Sequence, residues 1–170
     1  MTEEALEITK IYSIVNMLPN AESVMVERPF RSPHHSVSAS ALLGGGTYPR
    51  PGEVTLSHNG VLFLDELPEF ERAALEMLRQ PLEDGEVNIS RVRGSMNFPS
   101  KFLLVAAQNP CPCGYYGDTL KHCVCKQKAI DNYRKRISGP LLDRIDMQIN
   151  LKRVEFSELK AKASGECSAE

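Results

Sequence analysis

Two short, unbroken apolar runs constrain this chain more than any other feature. Val61-Leu62-Phe63-Leu64 ends in Asp65-Glu66, and Phe102 to Ala107 ends in Gln108-Asn109-Pro110. A run without polar alternation predicts a strand covered on both faces, as in a parallel sheet. Parallel neighbours need a long crossover, usually helical. The stretch Glu71 to Gln80 supplies one, with Ala74, Leu75 and Leu78 inward and Pro81 and Gly85 closing it. Glu86 to Pro99 then reads as a hairpin. Val87 and Ile89 alternate with polar residues, and the tip lies at Arg93-Gly94-Ser95. This order predicts an α/β fold. Both runs end in polar residues on the edge where open parallel sheets place ligands.

The rest of the chain fits around that sheet. Thr2 can cap a first helix, with Glu3 and Glu4 in its first turn. Ile8, Ile11, Tyr12, Val15 and Leu18 share a face, and Pro19 and Asn20 end it. The segment from Arg28 to Pro51 is irregular. Glu53 to His58 predicts a strand, and Asn59-Gly60 a turn. A helix is expected over Ala129 to Ile137, a short helical piece from Ser138 through Arg144, and a last strand at Met147, Ile149 and Leu151. Residues 157–170 are polar and expected to be poorly ordered.

With 170 residues, one domain is expected. Being 42% hydrophobic and 25% charged excludes a disordered or collagen-like chain. A net charge of -2 and a pI of about 6.1 leave no global positive field, so nucleic acid would be held only locally. No apolar run approaches the roughly 20 residues of a membrane span. The acidic start, MTEEALEITK, is unlike a signal peptide. A cytoplasmic location is therefore expected, and the five cysteines are read as thiols or metal ligands rather than disulfides.

Three constellations carry chemistry. Asp65 and Glu66, aimed from a strand end, suit a hydrated Mg²⁺ and the polarisation of an attacking water. An acidic helix start would look the same. Asn109 can hydrogen-bond a phosphate or a water without adding negative charge, or simply serve an Asn-Pro turn. Arg144, in SGPLLDRID, can reach a neighbouring subunit's phosphates, or pair with Asp143 or Asp146.

Taken together, these segments resemble one family. VLFLDELPEF resembles the Walker B segment of AAA+ ATPases, AAQNPCPCG their sensor-1 strand, and SGPLLDRID the arginine-finger segment of the magnesium-chelatase branch. RPFRSPHHSVSASALLGGG and NPCPCGYYGD are similar to magnesium chelatase-like proteins of the ComM/YifB type. The resemblance runs from about Glu3 to Phe156. It implies a partial AAA+ P-loop NTPase core over 1–156, with hairpin insertions at Gly46 to His58 and Glu86 to Pro99. It also implies ATP and Mg²⁺ as cofactors, a ring that is a hexamer, and work on DNA. By motif position, Asp65 holds Mg²⁺, Glu66 activates water, Asn109 senses the γ-phosphate and Arg144 is the finger. No G-x-x-x-x-G-K-[ST] occurs in the chain. It therefore reads as the middle of such a module, expected to be inactive by itself. An ATPase subunit of a porphyrin metal chelatase and a non-catalytic zinc-stabilised module are the rival readings.

A fourth constellation lies in the loop 111–125. Cys111-Pro-Cys113 and Cys123-Val-Cys125 offer four thiolates to a tetrahedral Zn²⁺. Reduced free thiols or adventitious disulfides are the alternatives. His122 can replace one cysteine, though a solvated histidine fits as well, and Cys167 is read as free. His34 and His35 read as packing or hydrogen-bonding residues, because neighbouring side chains in an extended chain point apart. Arg91 and Arg93 can touch nucleic-acid phosphate or merely solvate a hairpin. Arg134-Lys135-Arg136 can pair with acids or line a subunit interface.

Overall fold

A computed structural model describes residues 3–18, 24–46, 48–91 and 94–151. The expected helix start at Thr2, the hairpin-tip Arg93, Cys167 and the tail 157–170 lie outside the described residues. The first helix, expected to run to Pro19, already stops at Ile14, and Asn16 beyond it turns left-handed at φ 56°.

The sheet forms as the apolar runs demand. β4 (Val61–Leu64) lies between β1 (Phe30–Arg31) and β7 (Leu103–Ala106), parallel to both. Register pairs Val61 with Phe30 and Leu103, and Leu64 with Ala106. Gly60 makes the β1 pairing possible. A Cβ there would stand 2.0 Å from the Pro29 carbonyl oxygen, which accepts the Val61 N–H at 2.8 Å.

Cover is one-sided among the described residues. Leu62 and Leu64 are fully buried, under α2 (Ala39–Leu43), α3 (Glu53–Leu56), α4 (Arg72–Met77), α7 (Gly139–Leu142) and the hairpin of β5 (Glu86–Arg91) and β6 (Gly94–Pro99). Burying one such leucine contributes about 1.5–3 kcal/mol. The opposite face exposes Phe30 and Leu103 to 64% and 62%, with Val105 beside them. The expectation that Phe102 to Ala107 is covered on both faces is thus corrected. β7 is the edge of the described sheet, and only Leu104 of its side chains packs on the core.

Helix α1 (Glu3–Ile14) buries Ala5, Ile8, Ile11 and Tyr12, the stripe its periodicity predicts. Its partner is α3, where a strand was expected over Glu53 to His58. The helix wins because residues 54–56 must face two directions. Val54 enters the main core, while Leu56 packs on Ile8, Ile11 and Tyr12. The Tyr12 hydroxyl donates to the Leu56 carbonyl at 3.0 Å. Arg31 Nε and Nη2 donate to the two Glu53 carboxylate oxygens at 2.6 and 2.8 Å, tying β1 to α3.

The expected crossover helix is two. α4 stops at Met77 and α5 (Arg79–Asp84) begins beyond Leu78. Pro81 lies inside α5 rather than closing it. It has no N–H for the Met77 carbonyl, which breaks the ladder there, and in a first turn the missing donor costs little. Gly85, at φ 70°, ends the helix. The first insertion is a small hairpin of β2 (Gly44–Gly45) and β3 (Arg50–Pro51), so it overlaps only the start of the expected span. The second spans the expected residues, Glu86 opposite Pro99, but its tip is displaced: Gly94 and Ser95, expected there, belong to β6 and pair with Arg91 and Ser90. Helix α6 (Gln127–Arg134) begins two residues early and ends three early. Met147, Ile149 and Leu151 form no strand and are exposed, because no described sheet edge lies alongside to take their backbone bonds.

Candidate functional site

Because β4 and β7 run parallel, their carboxyl ends leave the sheet together. The Ala107 N–H donates to the Leu64 carbonyl, and the Leu67 N–H to the Ala107 carbonyl, each at 2.9 Å. Asp65 and Glu66 lie between those two stitches, and Asn109 two residues past the second. All three are exposed. The Asp65 carboxylate accepts the Glu66 N–H at 2.8 Å. Glu66 takes φ 53°, a left-handed conformation that costs a residue with a Cβ about 1–2 kcal/mol. Leu67 and Phe70 hold the turn by burial, with the 3₁₀ segment Leu67–Glu69 between them.

Sequence reasoning missed what surrounds Glu66. His35 Nδ1 lies 3.1 Å from its carboxylate. The His35 ring packs against His34, centroids 4.0 Å apart, and edge-on to Phe70. The hydrogen-bonding reading of the two histidines anticipated the type of contact but not the partner. Thirty intervening residues separate His35 from Glu66 in sequence, so no local signal joins them. Tyr133 is also new. Its buried phenol takes a hydrogen bond from the Asn109 backbone N–H. Burial first, then the Glu69 and Glu66 charges, pushes that phenol up from its ordinary value. Arg136 closes the arrangement, donating to Glu69 at 2.7 Å and to the Pro68 carbonyl at 3.0 Å.

The fourth expected residue is elsewhere engaged. Arg144 Nη2 donates to Glu83 on α5 at 2.6 Å, rather than to Asp143 or Asp146. Asp65, Glu66 and Asn109 thus share one sheet edge, while Arg144 is held against α5. Arg134 stacks over the Tyr116 ring at 4.9 Å.

Beyond Asn109 the chain loops through the cysteines. The Cys111, Cys113, Cys123 and Cys125 sulfurs lie within 4.8 Å of one another, and none is disulfide-bonded. The Tyr115 backbone N–H, against the pull of burial, holds the Cys113 thiol down to about 6, helped by the Val124 N–H. The Cys125 N–H draws Cys123 down, but burial and the neighbouring sulfurs outweigh it and push that thiol up to about 12. His122 is exposed and outside the cluster.

A family model described as magnesium chelatase, subunit ChlI, matches residues 1–159. The chain belongs to this family. It is 51% identical over 152 residues to the uncharacterized protein YifB of Escherichia coli (strain K12), covering 88% of this chain and 29% of that one. It is 49% identical over 168 residues to the competence protein ComM of Haemophilus influenzae, covering 98% and 32%. The chain therefore spans about a third of the length of the curated relatives it matches. A solved structure of NtrX from Brucella abortus, in complex with ADP, is similar over 47% of this chain and 19% of that one, at 20% identity. Its TM-score of 0.39 is too low to bear on the fold. The magnesium chelatase-like resemblance of the ComM/YifB type is borne out. No described helix is long and apolar enough to cross a membrane.

Proposed function

We propose that this chain is the central segment of an AAA+ ATPase whose full-length form hydrolyses ATP with Mg²⁺. The observation that carries the reading is the parallel pairing of β4 and β7. In a chain of this family, it delivers Asp65, Glu66 and Asn109 to one sheet edge. Asp65 holds the hydrated cation, which neutralises phosphate charge when bound. Glu66 takes the proton of the attacking water, with His35 orienting its carboxylate. The Asn109 amide donates to the γ-phosphate, and Tyr133 holds its backbone. The exposure of both carboxylates fits these roles. Arg144 leaves Glu83 to serve a neighbour's nucleotide in a ring, a hexamer by family resemblance. Without a phosphate-binding loop among its own 170 residues, the chain alone binds ATP weakly or not at all.

The work driven is remodelling of DNA in the cytoplasm, a reading supported by the name of the competence protein relative. The description of the matching family model favours a second reading, metal insertion into a porphyrin. Branched DNA raising ATPase turnover where a porphyrin does not would separate them.

The test uses the full-length protein. Glu66→Gln keeps the side chain's size and removes the base. ATP binding should persist while hydrolysis falls about 10²–10⁴-fold. Arg144→Ala should also stop turnover. Mixed rings of the two variants, verified by native mass spectrometry, should regain part of it through interfaces with both residues intact. Unchanged hydrolysis in Glu66→Gln overturns the assigned base. Mixed rings no better than either variant overturn independent action across the interface.

A further inference from the structure

We propose that Cys111, Cys113, Cys123 and Cys125 bind one Zn²⁺, and that this ion is what holds the β7–α6 connection closed. The proposal is independent of the nucleotide reading. It rests first on distance. Four sulfurs at about 2.3 Å from one ion occupy the corners of a tetrahedron whose edges are about 3.8 Å. The observed separations are 3.4 Å for Cys111–Cys113, 3.6 Å for Cys111–Cys123 and 3.6 Å for Cys113–Cys123, and Cys125 lies inside the same 4.8 Å limit. A disulfide, near 2.05 Å, is far shorter. The sulfurs face one common centre, not each other in pairs.

The backbone supplies the second argument. Cys113 receives the N–H groups of Tyr115 and Val124, Cys123 that of Cys125, and Cys125 that of Cys113. Each C-x-C pair thus turns amides of one segment toward sulfurs of its own and of the other. Amides aimed at sulfur are the outer shell that stabilises thiolate ligands. Neutral thiols, as weak acceptors, gain little from such an arrangement.

The loop also lacks any other means of holding its shape. Between Gln108 and Lys126 only Cys111 is buried. Leu120 and Val124 are exposed to 65% and 84%. Two turns, Gly114 N–H to the Cys111 carbonyl at 3.0 Å and Asp118 N–H to the Tyr115 carbonyl at 3.1 Å, are its short-range backbone bonds. Ordering a residue's backbone costs about 1–2 kcal/mol, and nothing apolar in this loop offsets it. A structural tetrathiolate ion does so outright. The closed loop sets Asn109 on Tyr133 at one end and starts α6 at the other.

The experiment uses the full-length protein, purified under reducing conditions without chelator. Elemental analysis should find one zinc per chain. Co²⁺ substitution should give tetrahedral d–d bands with sulfur-to-cobalt charge transfer, a measurement that needs no variant to fold. Cys113→Ser and Cys123→Ser should each weaken Zn²⁺ binding by more than the roughly 10–100-fold that losing an outer-shell partner costs. Cys167→Ser should leave the stoichiometry unchanged. Removing the ion should raise hydrogen exchange from Asn109 through Lys126 and spare the amides of β4. No bound metal, bound iron in place of zinc, or zinc indifferent to both substitutions overturns the site. Exchange in the loop that ignores chelation overturns its role as the clamp.

Discussion

The two loops that leave the carboxyl edge of the sheet are neighbours built on opposite principles. The loop after β4 is short and anchored in the core, with Leu67, Pro68 and Phe70 buried within six residues of the strand. The loop after β7 is long and has no apolar anchor, only a knot of sulfurs. Both enter the left-handed region. In the first the residue there is Glu66, which pays for being there, and in the second they are Gly114 and Gly117, which do not. Strain is thus tolerated where burial over-determines the backbone, and avoided where nothing else would hold it. The strained residue is also the proposed base, so the rigid loop is the one suited to hold chemistry in place.

The contrast can be broken most forcefully at Phe70, which is 3% exposed. Phe70→Ala should lower global stability by about 3–5 kcal/mol in denaturant unfolding. A loss confined to the loop would mean that the first loop is not core-anchored. Gly114→Val comes next. At φ 81° a β-branched residue should cost about 1–2 kcal/mol. The cost should appear as faster exchange in the cysteine loop, with the unfolding midpoint of the sheet little changed. Glu66→Gly should do the reverse, raising stability by up to about 1 kcal/mol by relieving the strain, while Glu66→Gln leaves it unchanged. A Glu66→Gly protein no more stable than the parent would show that Glu66 stores no strain.

The smallest effect is a control at the other end of β4. Hydrogen bonds from His58 at 3.1 Å and Asn59 at 2.9 Å hold the Glu7 carboxyl below its ordinary value. A depressed folded value means the unfolded chain binds the proton more readily. The contribution is therefore full at neutral pH and is lost as pH falls through the carboxylate range. On this half-exposed side chain it should amount to no more than about 0.5 kcal/mol. Glu7→Gln should flatten that part of the stability curve, and a variant with the parent's acid slope would assign the slope to other carboxylates.

The elements that could be read from the chain are those whose partners are close in sequence or whose pattern admits one solution. The α1 stripe, the span of the β5–β6 hairpin and the two unbroken apolar strands are of that kind, because period and turn chemistry act over a few residues. So is the convergence of Asp65, Glu66 and Asn109, since two parallel strands must release their ends on the same edge. Helix α3 in place of a strand was not legible. Its four residues serve two cores at once, and only the assembled packing says so. Nor was the break at Leu78, where Pro81 ends one helix by what it fails to donate to Met77.

What the sequence determined by itself is therefore the sheet, its edge and the residue types gathered there, since local period and strand direction leave little choice. The tertiary structure alone decided the partners: His35 on Glu66, Tyr133 on Asn109, Glu83 on Arg144, and four thiols meeting about one point. The physical reason is range. Backbone preference and hydrophobic period are settled within a turn or a strand. Contacts such as His35 with Glu66 or Glu83 with Arg144, 31 and 61 residues apart, exist only once the chain has closed on itself.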